Sequence, residues 1–95
     1  MSENSHIGIA GVKIKIMPDS PEVNIEELKS KVESTVEEMG GINNPYEIEP
    51  VAFGLKAIIA FFQWKEDKEL EDLEEKLKTI ENVQSVQVID LRKIA

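Results

Sequence analysis

From Leu55 to Trp64 the chain is apolar on both alternating parities: Leu55, Ala57, Ile59 and Phe61 on one, Ile58, Ala60, Phe62 and Trp64 on the other. Successive side chains of a strand point to opposite faces. A run of this kind predicts a central strand, with each face either covered or offered to a partner. Such a strand needs neighbours, and the flanking sequence supplies them. Val12, Ile14 and Ile16 alternate with Lys13 and Lys15, the pattern of a half-buried strand. Met17-Pro18-Asp19-Ser20-Pro21 stops it, because proline lacks an amide donor and biases the preceding residue away from helix. The alternation from Tyr46 to Glu49 is short and is cut by Pro50, which fits an edge strand. The last strand is predicted from about Val83 to Leu91. Val86 and Val88 lie on one parity and Ile89 and Leu91 on the other, a phase change that predicts either a bulge or a switch in packing partner near Val88.

Two helical stretches separate these strands. Asn24 can cap the first, with Glu27 at the capping-box position, and Ile25, Leu28, Val32, Val36 and Met39 follow on one face until Gly40-Gly41. Asp67 is the expected cap of the second, whose stripe is Leu70, Leu73, Leu77 and Ile80. Asp72 with Lys76 and Glu74 with Lys78 are spaced to pair, and acid at the start with lysine at the end suits the helix dipole. The order β-α-β-β-α-β predicts an α+β fold, a ferredoxin-like sandwich of a four-stranded antiparallel sheet with two helices on one face and the other face open. A chain of 95 residues holds one small core. Residues 1–7 read as a flexible lead and 8–95 as the single domain.

Composition removes several functions that this topology can serve. Nineteen acidic against eleven basic residues give a formal charge of −8, which repels nucleic-acid backbones and anionic lipid. There is no cysteine for thiolate or disulfide chemistry, and the lone His6 cannot build a metal site. No apolar stretch reaches the length of a membrane span, and Met1 to His6 lacks the pattern of a secretory signal, so the expected location is the cytoplasm. An RNA-recognition module would carry aromatics where the first strand has Lys13 and Lys15. A phosphate-cradling arginine near the end of that strand is missing too, since the only arginine is Arg92. The carboxylate pairs Glu26-Glu27, Glu37-Glu38 and Glu74-Glu75 fall on solvated helix faces rather than on an acid and base site. No cofactor is called for, and the chain does not read as an enzyme.

Two features exceed what the fold needs. In Pro50-Val51-Ala52-Phe53-Gly54 a large aromatic sits beside glycine in a turn. Phe53 either tucks into the core while Gly54 supplies a positive φ, or stands out as an interface anchor. At the other end, Asp90-Leu91-Arg92-Lys93-Ile94-Ala95 places two cations in an otherwise acidic chain, as a frayed solubilising tail or as a functional terminus.

Pro50-Val51-Ala52-Phe53-Gly54-Leu55-Lys56, Val83-Gln84-Ser85-Val86 and the closing Arg92-Lys93-Ile94 together resemble the signature segments of the elongation factor 1-beta exchange-factor family. Met-Pro-Asp-Ser-Pro after the first strand resembles its archaeal branch. The resemblance implies a guanine nucleotide exchange factor of translation elongation, whose partner is the GTPase elongation factor 1-alpha in its GDP-bound and nucleotide-free forms. It implies that Lys93 disturbs the partner's magnesium site and that Phe53 wedges into an apolar pocket, with Ala52, Gly54 and Arg92 beside them. On the same spacing it sets Phe53 beside Lys93 as two halves of one site. Ala57, Ile59 and Phe61 serve either a core or an interface. The competing reading is a ferredoxin-like regulatory domain that binds a small ligand and oligomerises through its sheet.

Overall fold

The computed structural model describes residues 8–94. The flexible lead expected over 1–7, His6 with it, lies outside the described residues, as does Ala95. The elements are β1 (Ile9–Pro18), α1 (Ile25–Glu38), β2 (Ile42–Asn43), β3 (Glu47–Pro50), β4 (Lys56–Lys65), α2 (Leu70–Lys78) and β5 (Val83–Lys93), with one 3-10 turn at Ala52–Gly54. The fold is α+β and ferredoxin-like: an antiparallel sheet ordered β2-β4-β1-β5, with β3 also pairing β4. Among the described residues the sheet has five strands rather than four. The predicted edge strand is split, because Asn44-Pro45-Tyr46 interrupts it and both β2 and β3 lie along one edge of β4. Proline there cannot donate to a ladder.

The long apolar run is central, as its two-sided pattern requires. Ile58, Ala60, Phe62 and Trp64 face the helices with Ala10, Val12, Ile14 and Ile16, closing on Leu28, Val32, Val36, Leu73 and Leu77. Phe62 and Trp64 meet edge to face at 6.0 Å, and the indole N–H donates to the Lys68 carbonyl at 3.1 Å. Leu77 has no exposed surface, so Leu77→Ala is expected to cost about 2 to 5 kcal/mol, read as a lower urea midpoint at unchanged slope.

The α1 ends follow the sequence. The Asn24 side chain accepts the Glu27 amide at 3.1 Å. At the other end Gly40 takes φ +97, with Gly40 N–H bonded to the Glu37 carbonyl and Gly41 N–H to that of Val36, so the terminal carbonyls are satisfied by a left-handed glycine. The start of α2 differs. Asp67 lies in the turn after β4, the cap position is Glu69 without a side-chain bond, and the helix begins at Leu70. Lys78 reaches Glu75 at 3.7 Å instead of the expected Glu74. The edge is pinned to α1 by Asn43, which donates to the Glu33 carbonyl and accepts from the Tyr46 hydroxyl. Burial, with the Glu33 and Glu37 carboxylates adding to it, pushes the Tyr46 phenol well above its usual pKa.

The bulge near Val88 is present. Ile14 pairs with Val88 and Lys13 with Asp90, leaving Ile89 as the extra residue. Antiparallel partners share a face. Val86 and Val88 therefore pack toward the helices, and beyond the bulge Leu91, opposite Val12, and Lys93, opposite Ala10, lie on that same side. Asp90 and Arg92 fall on the open face with Lys13 and Gly11.

Candidate functional site

The five site residues expected from sequence gather at two places rather than one. The first is the turn between β3 and β4. The Val51 amide donates to the Leu55 carbonyl at 2.8 Å and the Leu55 amide to that of Ala52 at 3.2 Å, closing a tight loop in which Phe53 has φ 62 and Gly54 φ 76. Ala52 and Gly54 are exposed, and Phe53 is 93% exposed. The turn aromatic is therefore not tucked into the core. A residue with a Cβ in the left-handed region costs roughly 1 to 2 kcal/mol, and an exposed ring regains none of it by burial. Phe53→Gly is accordingly expected to keep or raise folding stability by up to about 1 kcal/mol in thermal or urea unfolding, although it removes the largest side chain of the loop.

The second place is the end of β5. The tail is not frayed up to Ile94: the strand runs to Lys93, and the Ile94 amide donates to the Ile9 carbonyl at 2.8 Å. Arg92 Nε contacts Asp90 Oδ2 at 2.9 Å on the open face. Lys93 Nζ lies 3.8 Å from Glu66 Oε1 across a hollow on the helix side lined by Ala10, Trp64, Leu70 and Leu91. The Lys93 side chain is 72% exposed, so this pair is weak, under about 1 kcal/mol, and the ammonium can leave it at little cost. Adjacent on a strand, the two cations face opposite sides, and bulge and register put Arg92 on the open face and Lys93 on the helix side.

These places lie at opposite ends of the sheet. Lys56 follows the Phe53 loop, and Trp64 aligns through Ala10 with Lys93. The intervening run of β4 separates them by about 26 Å at the usual rise of roughly 3.3 Å per residue. Phe53 is not beside Lys93, because an unbroken central strand stands between them. On the open face, Ala57 and Ile59 are buried even though no helix covers them, and Ile59 lines a shallow dish with Lys13, Glu47, Glu49 and Ile89. Phe61 is half-buried beneath the Lys13 ammonium, 4.8 Å from the ring centre. Of the three residues with open roles, Phe61 alone keeps substantial accessible surface. Sequence reasoning missed Glu66, which holds the lysine, and Asp90, which holds the arginine. Glu66 has no sequence signal, since its contact arises from two distant segments meeting, whereas Asp90 lies two residues before Arg92 on the same strand, a spacing that puts both on one face.

Among the described residues no group of three or more His, Cys, Asp or Glu is placed to hold a metal, and no helix is long and apolar enough to cross a membrane. An α+β sheet-and-helix domain with an exposed turn at one end and a fastened cationic strand at the other is a small ferredoxin-like module. Solved structures share that fold. The ACT domain from GTP pyrophosphokinase of Chlorobium tepidum aligns with a TM-score of 0.61 at 14% identity, covering 83% of this chain and 96% of that one. The C-terminal domain of the MgtC protein from Mycobacterium tuberculosis aligns at 0.60 and 13%, covering 98% and 94%.

The chain belongs to the EF-1 guanine nucleotide exchange domain family, which it matches over residues 11–94. Relatives named elongation factor 1-beta include that of Methanococcus aeolicus, 48% identical over 60 residues, covering 63% of this chain and 67% of the relative. That of Methanosarcina acetivorans is 42% identical over 53 residues, covering 56% and 60%. That of Thermococcus kodakarensis is 38% identical over 69 residues, covering 73% and 69%. The matched segments thus span 60 to 69% of these relatives' own lengths.

Proposed function

We propose that this chain is a guanine nucleotide exchange factor of translation elongation that releases GDP from elongation factor 1-alpha in the cytoplasm. Family membership supports the activity, and the observation that carries the site is Phe53, a strained aromatic almost wholly in water. It does no work for the fold, and it has the form of an interface anchor. Lys93 is the second contact, made about 26 Å away along the sheet by strand rise, so the factor engages its partner at two separated points rather than through a single wedge.

In a P-loop GTPase the nucleotide is held by backbone amides, a lysine and a magnesium ion that bridges phosphate to a Ser or Thr hydroxyl. Lys93 would bring a single mobile charge to the metal's surroundings, competing with the ion and loosening GDP. Phe53 would bury its ring in an apolar pocket and hold the partner in the form that binds the factor. No covalent bond forms or breaks, so no catalytic acid or base is needed.

Linkage fixes the sign. A factor that lowers GDP affinity must itself bind more weakly to the GDP-bound partner than to the nucleotide-free one, by the same ratio. The experiment is to load elongation factor 1-alpha with a fluorescent GDP, add the chain, and follow loss of signal against excess unlabelled GDP. Faster release is expected. An unchanged rate at a saturating concentration of the chain overturns the proposal.

A further inference from the structure

The open-face row of β1 runs Ile9, Gly11, Lys13, Lys15 and Met17, and Gly11 is its one position without a side chain. That space is used. A Cβ placed at Gly11 would meet Ile94 Cγ2 at 3.7 Å and Cδ1 at 3.8 Å, so the Ile94 side chain lies over the bare backbone of the neighbouring strand. The same residue is tied by its amide to the Ile9 carbonyl at 2.8 Å. On the other side of Lys93, Arg92 is held to Asp90 at 2.9 Å, also on the open face. Ile94 is thus tied to β1 on the open face, where Arg92 also lies, while Lys93 itself projects from the other.

We propose that Ile94, seated over Gly11, is a positioning residue that clips the last strand residue in register and so sets where the Lys93 ammonium is presented. This rests on the reading of Lys93 as an exchange group. The physical need for a clip is clear. Among the described residues β5 is an edge strand with β1 as its sole partner, and the end of such a strand frays unless it is tied down. Ile94 retains 55% of its own exposure, so its burial does little for the core, and its contacts serve the strand end. Gly11 complements it: a Cβ there would already touch Ile94 at ordinary contact distance, so the further methyl groups of a valine are expected to press on it.

The test uses the intact chain with Ile94→Ala, Ile94→Val and, from a different strand, Gly11→Val. In the free protein, exchange of the Ile94 amide, which is bonded to the Ile9 carbonyl, is expected to rise on the order of tenfold in Ile94→Ala and Gly11→Val and to stay near wild type in Ile94→Val. With elongation factor 1-alpha, the maximal GDP-release rate at saturating factor is expected to fall by roughly tenfold in the first two variants, because a displaced group loses its alignment. Affinity for the nucleotide-free partner should stay within about twofold, since neither substitution removes Lys93 or Phe53, and Ile94→Val should restore the rate. Unchanged amide exchange overturns the clip. Faster amide exchange with a wild-type maximal rate, or a loss seen only as weaker binding, overturns the positioning role. If the wild-type chain fails to speed GDP release, the exchange reading falls instead, and amide exchange still decides the clip.

Discussion

Lys93→Ala is expected to slow GDP release from elongation factor 1-alpha by on the order of a hundredfold at saturating factor, the usual cost of removing one aligned electrostatic group from a dry site. Affinity for the nucleotide-free partner should change by less than about threefold, because that state no longer holds the magnesium ion against which the ammonium works. The structure makes this separation reasonable. Lys93 ends a strand, its side chain is largely in water, and among the described residues its ion pair is the loose contact with Glu66 at 3.8 Å. Little has to be broken to deploy it. Lys93→Met, which keeps the length and removes the charge, should behave like Lys93→Ala if charge is what matters. Lys93→Arg should recover only part of the rate, since a planar guanidinium cannot enter a site shaped for a small ion as an ammonium can. Stopped-flow release curves over a range of factor concentrations separate the rate from the affinity. A variant lacking the Lys93 ammonium but keeping the wild-type maximal rate would remove Lys93 from the mechanism.

Phe53→Ala is expected to act on the other quantity. Burying the ring in an apolar pocket contributes about 1.5 to 3 kcal/mol, so its loss should weaken the complex by roughly tenfold to a hundredfold. The maximal release rate once the partner is saturated should change much less. Because Phe53 is 93% exposed in the free chain, folding stability should hold, and a calorimetric binding measurement can be read without correction for unfolding. Affinity equal to wild type would leave the exposed ring without a role at the interface.

The separation of the two places adds a sharper expectation. Groups more than about 7 to 10 Å apart with no shared partner contribute additively, within roughly 0.5 kcal/mol. The double variant Phe53→Ala with Lys93→Ala should therefore show the product of the two single effects on release at low factor concentration. A large coupling would mean that the two residues meet in one pocket, contrary to the length of β4 between them.

Much of this molecule follows from residue pattern. The two-sided apolar run from Leu55 to Trp64 marked a central strand, Asn24 and Gly40 bound α1 by local bonding, and the parity change around Val88 marked an irregularity that the edge strand realises as an extra residue. These are short-range consequences of side-chain periodicity and backbone preference, which a linear sequence carries. The two cations and the Phe-Gly turn were visible as well, because each exceeds what a ferredoxin-like fold needs. What the sequence alone determined, then, was the fold and the identity of the unusual residues. Their arrangement was decided by tertiary structure. Phe53 proved exposed because its loop closes on its own backbone, and it stands a strand's length from Lys93 because β4 runs uninterrupted between them. Arg92 and Lys93, adjacent on a strand, must face opposite sides, but which of them takes the open face was set by register with β1 across a bulge, and Ile94 rests on Gly11 because the two strands meet there. Direction and distance depend on pairing between residues far apart in the chain, and no local pattern encodes that pairing.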